Sequence, residues 1–190
     1  MGAVKNCVAV VLLLGTAGGA FLYSGIYPMG ADVPHNKLTH WLLETLREKS
    51  IESASKNIQV PPLDDPNLLL TGGADYNDMC ASCHLQPGRS RSDMSLGLYP
   101  APPNLSQPEA DHNHDHDDGD EQVDRNKSVR RQFWIIKHGI KASGMPAWGP
   151  THEDQRIWAM VAFLRKLPTL SESQYQILTA RGASSSQEHQ

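Results

Sequence analysis

The sequence predicts a mainly α-helical protein with an apolar N-terminal helix, a second amphipathic helix and a helical domain. Three observations support this fold class. Residues 7–27 carry no charged side chain, and four later segments repeat apolar residues at the spacing of an α-helix. The long stretch from His84 to Pro108 is rich in proline and glycine and shows no strand pattern.

Length and charge limit the architecture and the class of partner. With 190 residues, the chain has room for one domain of ordinary size plus attachments. Lys and Arg number 17 against 21 Asp and Glu, and an acidic segment at 109–124 contains no Lys or Arg. The remainder is only mildly basic and has no Arg/Lys run interleaved with aromatics, which argues against nucleic acid as partner.

Residues 1–28 are predicted to form a transmembrane anchor. The 21 uncharged positions 7–27 would span about 30 Å as a helix, the thickness of a bilayer's hydrocarbon core. Lys5 is the only charge before them, so the positive-inside tendency places the N-terminus in the cytoplasm and the rest outside. The sequence thus predicts a single-pass protein of the inner (cytoplasmic) membrane, with its domain in the periplasm or on the outer face.

A cleaved signal peptide is the alternative for the same segment. Gly18 and Ala20 are small residues at plausible cleavage positions. The apolar run continues past them, however, and Tyr23 and Tyr27 suit a membrane interface, which favours an uncleaved anchor. Either alternative exports the rest of the chain.

Residues 29–67 predict an amphipathic helix followed by a proline-rich connector. Asp32 and Pro34 suit a helix start, and the helix should run to near Lys56. Its apolar stripe has the helical spacing i, i+3, i+4, i+7, i+8 and comprises Leu38, Trp41, Leu42, Thr45 and Leu46. We expect this stripe to pack against the protein's own domain; a docking surface for a membrane partner is the alternative.

The central motif lies in residues 68–170. A helix predicted from Gly72 to Cys83 brings Cys80 and Cys83 to one face, and His84 follows directly, giving C-x-x-C-H. Two thiols at this spacing can add to the vinyl groups of one porphyrin, and the histidine can then ligate its iron. The sequence therefore predicts one covalent haem c.

Zinc and dithiol chemistry are weaker interpretations of the same cysteines. A structural zinc site needs four ligands, and the only other cysteine, Cys7, lies in the apolar N-terminal run. A thioredoxin-like pair would need a strand before the motif and a βαβ context, whereas a helical stretch precedes Cys80.

Two further helices are predicted after the acidic segment. Ser128 can cap the first, and Lys137, His138 and Gly139 suit its end. The second should start at Thr151 and end before Pro168. Residues 171–190 read as a polar tail, to which Tyr175, Ile177 and Leu178 could add one packed turn.

Met145 is the strongest candidate for the second axial iron ligand. It lies in Gly144-Met145-Pro146, in a loop that proline and glycine keep from being helical. Met94 is a weaker candidate, Met79 is too close to Cys80, and Met160 lies where methionine usually fills a core. His138 and His152 remain possible because two histidines can also ligate haem iron.

The order of these motifs resembles the monohaem class I cytochromes c. The resemblance covers about residues 68–169 and rests on Gly72, Tyr76, Cys80-x-x-Cys83-His84, Pro102-Pro103-Asn104-Leu105, Gly144-Met145-Pro146-Ala147-Trp148 and Trp158. It implies that Gly72 and Tyr76 meet Trp158 or its neighbours where the first and last helices cross. It also implies that Pro102 or Pro103 accepts a hydrogen bond from His84. The acidic segment is a departure from the family pattern.

The acidic segment contains a histidine cluster, His112, His114 and His116. Imidazoles among carboxylates could bind a divalent metal such as Zn, Cu or Ni. A solvated loop without a metal is the expectation we favour, because its charge keeps it out of the core.

The combined expectation is a membrane-anchored c-type cytochrome that transfers single electrons to redox proteins at the membrane and is not itself an enzyme. Its haem would be ligated by His84 and Met145, since methionine ligation suits electron transfer. A haem-based sensor of small ligands, or a metal-handling protein using the histidine cluster, is the alternative.

Overall fold

The computed structural model describes residues 2–108 and 118–180, which belong to two compact units, Met1–Pro34 and His35–Gln190. The first unit contains α1 (Gly2–Ser24), whose side chains are almost all exposed. It ends slightly before the predicted boundary because Gly25 adopts a left-handed backbone with φ of 66°. Within the described ranges, α1 is the one helix long and apolar enough to cross a membrane.

The second unit is helical, and the described part of the chain contains no strand. This confirms the predicted mainly α fold. Its elements are α2 (Lys37–Ser55), α3 (Pro66–Met79), α4 (Ala81–His84), α5 (Asp93–Gly97), α6 (Asp118–His138), α7 (Asp154–Lys166), a 3₁₀ turn (Leu167–Thr169) and α8 (Glu172–Thr179).

The core is organised around the crossing of α3 and α7. Gly72 of α3 lies so close to α7 that a Cβ there would overlap the backbone of Ala159 and come within 2.8 Å of the Met160 nitrogen. One turn later, the buried Tyr76 ring packs on Phe163 with 5.4 Å between centroids. The predicted meeting of Gly72 and Tyr76 with the neighbourhood of Trp158 is therefore confirmed.

A short helix, α8, covers another side of α3. A Cβ at Gly73 would come within 2.6 Å of the Leu178 carbonyl oxygen, so α8 also approaches a glycine. Tyr175 is 3% exposed and packs edge-on against Tyr76. The structure thus gives two packed helical turns where the sequence suggested a polar tail with at most one.

The amphipathic helix α2 differs from its prediction in two ways. It starts after Asn36, whose side-chain oxygen accepts a 2.9 Å hydrogen bond from the Thr39 nitrogen, and not at Asp32 or Pro34. Its buried residues are Ile51 and Ser55, whereas its apolar stripe is exposed. The expectation that the stripe packs against the domain was wrong, because a different side of α2 faces α6.

Other helix boundaries also needed correction. The predicted helix from Gly72 to Cys83 is broken at Cys80 into α3 and α4. The helix α6 begins well before Ser128, and α7 begins after Glu153, not at Thr151. In the stretch predicted to be irregular, Ser92 caps α5 through a reciprocal pair of bonds with Ser95. The helix ends predicted at Gly139 and near Pro168 are correct.

Candidate haem site

The turn after α3 places both cysteines and His84 within one helical turn. The Cys80 carbonyl accepts hydrogen bonds from the Cys83 nitrogen at 3.0 Å and the His84 nitrogen at 2.8 Å. Both cysteines are partly buried. This separation of one turn suits the attachment of two thiols to a single porphyrin.

The His84 ring is held in a defined tautomer. Its Nδ1 lies 2.9 Å from the Pro103 carbonyl oxygen, and a carbonyl can only accept, so Nδ1 carries the proton and donates it. The other ring nitrogen, Nε2, is then left with the lone pair that a metal ion needs. The hydrogen bond to Pro102 or Pro103 that the resemblance implied is present, and Pro103 makes it.

Burial favours the neutral forms of the His84 ring and the Cys80 thiol. It lowers the pKa of His84, and the hydrogen bond to Pro103 only partly opposes this effect. Burial also raises the pKa of Cys80 to about 12, with smaller contributions from Asp75 and Cys83. A neutral imidazole is the form that can ligate iron.

The backbone around His84 is fixed from two sides. The Tyr76 hydroxyl donates to the Leu85 carbonyl at 2.6 Å, and the Leu105 nitrogen donates to the His84 carbonyl at 3.1 Å. Leu85 itself adopts a left-handed φ of 67°, which turns the chain out of α4. The turn is thus attached to α3 on one side and to the loop that carries Pro103 on the other.

Met145 lies in a separate loop that follows α6. The loop is closed by hydrogen bonds from the Ile140 nitrogen to the Met145 carbonyl at 3.2 Å and from the Met145 nitrogen to Ser143 Oγ at 3.1 Å. After it, the Trp148 nitrogen bonds back to the Ile136 carbonyl at 3.0 Å. Met145 is partly buried and packs against the main core.

The segment formed by α5 and its two capping residues connects the cysteine turn with the loop that carries Met145. The Ser92 hydroxyl at the start of α5 donates to the Ser82 carbonyl in α4. At the other end of α5, Leu98 lies against Gly144, where a Cβ would meet the leucine side chain. A single short segment therefore contacts both the cysteine turn and the methionine loop.

Comparison with protein families decides the class of cofactor. The model of the family described as "Cytochrome C oxidase, cbb3-type, subunit III" matches residues 67–164, just over half of the chain. The chain belongs to this family. It is a monohaem c-type cytochrome, its cofactor is covalently bound haem c, and such a domain transfers electrons through its haem. No curated protein and no solved structure matches the cytochrome.

The residues of the site fit this cofactor. A neutral histidine with its Nδ1 proton engaged and two thiols one turn away form the donor set that haem c requires. For the remaining axial position, Met160 is fully buried in the core cluster, Met94 is exposed on α5, and Met145 lies in the irregular loop. His138 is exposed at the end of α6, and His152 contacts Thr151 and Trp148.

Sequence reasoning missed a buried ion pair beside the attachment turn of the cytochrome. Arg156 donates two hydrogen bonds to Asp75, at 2.6 and 2.7 Å, and the Asp75 side chain is 4% exposed. The pairing raises the pKa of Arg156. An acid on the apolar face of α3 was a usable signal, but nothing in the sequence named a partner 81 positions away.

The histidine cluster His112, His114 and His116 lies outside the described residues, so its proposed metal site stays a prediction. Among the residues that are described, no group of three or more His, Cys, Asp or Glu side chains could hold a metal ion.

Proposed function

We propose that the cytochrome is a membrane-anchored, extracytoplasmic electron carrier whose haem is attached at Cys80 and Cys83 and ligated by His84 and Met145. The observation that carries the proposal is the bond from His84 Nδ1 to Pro103, because it orients the ring and directs the Nε2 lone pair toward a metal. The bound haem supplies an iron that cycles between the ferrous and ferric states.

The protein's own groups hold both proposed ligands in place. His84 is held by Pro103 and Leu105, and the methionine loop is closed on itself by Ser143, so neither proposed ligand needs to move when the iron changes charge. A thioether ligand also raises the reduction potential relative to a second histidine. These features support electron transfer over binding of small ligands.

Covalent attachment is tested by replacing the cysteines. We expect Cys80→Ser/Cys83→Ser, expressed with a haem-attachment system, to lose the haem that stays with the chain on a denaturing gel. Cys7→Ser is the matched control and should keep it, because Cys7 is exposed on α1. Haem retained by the double variant on the gel would contradict attachment at these positions.

The second axial ligand is tested by the charge-transfer band between methionine sulfur and ferric iron. We expect Met145→Ala to abolish this band and Met94→Ala, which changes an exposed methionine, to leave it unchanged. Loss of the band in Met94→Ala with retention in Met145→Ala would transfer the ligand role to Met94. A wild-type spectrum without the band would contradict His/Met ligation.

The anchor is proposed from α1, which is long, apolar and exposed over its length. We expect the full chain to stay with membranes through alkaline carbonate extraction, with residues after the helix open to protease added to spheroplasts, which exposes the outer face of the cytoplasmic membrane. The N-terminal sequence of the mature protein separates an anchor from a signal peptide, since cleavage after Ala20 would leave Phe21 first.

The partner is proposed from the family's description as a subunit of a cytochrome c oxidase. The exposed apolar side chains of Met94 and Leu96 on α5, which adjoins the cysteine turn, would contribute to such a contact. Detergent-solubilised membranes should yield the cytochrome in a complex with oxidase activity. A chain that migrates alone would favour a free carrier.

A further inference from the structure

The N-terminal half of α2 exposes an apolar stripe that no residue in the described part of the chain covers. The side chains of Leu38, Trp41, Leu42 and Leu46 recur at helical spacing, and the residues are between 51% and 68% exposed. Scattered exposed leucines are ordinary, but four large apolar residues on one side of one helix form a patch that water solvates poorly.

The stripe is not the face by which α2 binds the domain. That face carries Ile51 and Ser55, which are buried, and Glu48, whose carboxylate lies 2.6 Å from Arg131 of α6. Since each residue turns an α-helix by about 100°, Ile51 lies roughly opposite the centre of the stripe, and Ser55 and Glu48 lie on the flank next to Trp41. The helix can therefore remain attached to the domain while the stripe contacts something else.

We propose that the stripe lies on the surface of the bilayer, with its apolar side chains inserted among the lipids. The inference rests on the proposed membrane anchor. The helix α1 ends at Ser24 and α2 begins at Lys37, so the twelve intervening residues can extend at most about 40 Å. A stripe of leucines with one tryptophan on a convex helix face suits the boundary between acyl chains and headgroups.

The charges that border the stripe favour anionic lipid. On the same side of α2, farther from its start, lie Lys49, which pairs with Glu52 at 3.2 Å, and Lys56, so this side carries two basic groups and one acidic group. Lys56 and Glu52 also line a cavity together with Lys127 and Arg130 of α6, where the Nε atom of Arg130 is buried without a hydrogen-bond partner. Basic groups beside an apolar face are the pattern of helices that lie in the plane of an anionic membrane surface.

The test uses the haem-loaded full chain with Cys7→Ser, reconstituted in vesicles of phosphatidylcholine and phosphatidylglycerol. A nitroxide label is placed at Leu42→Cys on the stripe or at Ala54→Cys, an exposed control position on another side of α2. Paramagnetic resonance then compares collisions of the label with oxygen, which is concentrated in lipid, and with a water-soluble nickel chelate. We expect the ratio of oxygen to nickel collisions to be several-fold higher at Leu42 than at Ala54.

A third label, Leu13→Cys in α1, separates this inference from the anchor. A lipid environment at Leu42 supports the inference whatever the environment at Leu13. Free access of nickel to Leu42 overturns it, and if Leu13 is then in lipid, the anchor stands without it. Protection of Leu42 from both reagents also overturns it, because it shows that a second copy or another protein covers the stripe.

The role of the basic residues is tested in the same vesicles. We expect Lys49→Glu/Lys56→Glu to lower the oxygen-to-nickel ratio at Leu42. When Lys49 and Lys56 are both present, we expect vesicles of phosphatidylcholine alone to lower the same ratio. A ratio that responds to neither change would overturn the preference for anionic lipid.

Discussion

At the scale of single residues, the site depends on a glycine that permits a close helix contact and on one hydrogen bond that selects the tautomer of a histidine. Gly72 permits the contact between α3 and α7, and the Pro103 carbonyl selects the tautomer of His84. Both features follow from local chemistry, and both were accessible from the sequence once the motif order was recognised. The Asp75–Arg156 pair was not, because the position of Asp75 on the apolar face of α3 does not identify a partner 81 positions away.

Gly72→Ala is expected to destabilise the cytochrome strongly. The new Cβ would overlap backbone atoms of Ala159, which cannot move aside as a flexible side chain can, so overpacking should cost about 1–3 kcal/mol or more. Urea unfolding of the haem-loaded chain in detergent measures the change. Gly97→Ala is the control, since no atom lies within 4 Å of its Cβ; equal losses in both variants would contradict the close contact.

Arg156→Ala is expected to lower the free energy of unfolding by roughly 2 kcal/mol, because the buried Asp75 carboxylate loses its guanidinium. The figure lies below that for fully buried pairs since the Arg156 side chain is 33% exposed. Arg165→Ala removes an ion pair of 3.6 Å with the exposed Asp64 and should change stability by less than about 0.5 kcal/mol. Similar values for the two variants in urea unfolding would show that Asp75 does not depend on Arg156.

At the scale of elements, helix ends were easier to predict than helix starts. Gly139 and Pro168 stop a helix by their own backbone properties, and both predictions are correct. Ser128 can cap a helix only where the chain is not already helical, and it lies inside α6. The helices α5 and α8 are too short to show a clear period, so packing and capping bonds define them.

The short helix α8 is expected to contribute substantially to stability through one residue. Tyr175 is 3% exposed and contacts Tyr76 and Phe163, so Tyr175→Ala should cost about 3 kcal/mol. Ile177→Ala on the same helix changes a residue that is 71% exposed and should shift stability by less than about 0.5 kcal/mol. Thermal or urea unfolding distinguishes them, and a small effect of Tyr175→Ala would mean that α8 is dispensable.

At the scale of the whole molecule, the sequence predicted which elements the chain forms better than it predicted the contacts between them. Periodicity identified α2 as amphipathic, but it could not tell which side of the helix the domain would bind. The side that contacts α6 carries the buried Ile51 and Ser55 and the ion pair of Glu48 with Arg131, and a second ion pair, of Glu52 with Lys127, lies nearer the stripe. The free stripe and the attached face therefore arise from two different patterns on one helix.

These ion pairs should make the attachment of α2 sensitive to acid. Burial alone would raise the pKa of Glu48, but hydrogen bonds from Arg131 and Arg47 outweigh it, and the folded pKa lies below the usual 4.5. A group with a depressed folded pKa stabilises the fold above its unfolded pKa and loses that contribution as pH falls through the folded value. The difference in urea midpoint between wild type and Glu48→Gln should thus be constant from pH 7 to about 5 and shrink below about 4.5.

Glu44→Gln, which changes a carboxylate paired with His40 and Arg47 on α2 itself, should have a smaller effect at pH 7. A Glu48→Gln difference that persists unchanged at low pH would show that the carboxylate charge does not hold α2 to α6.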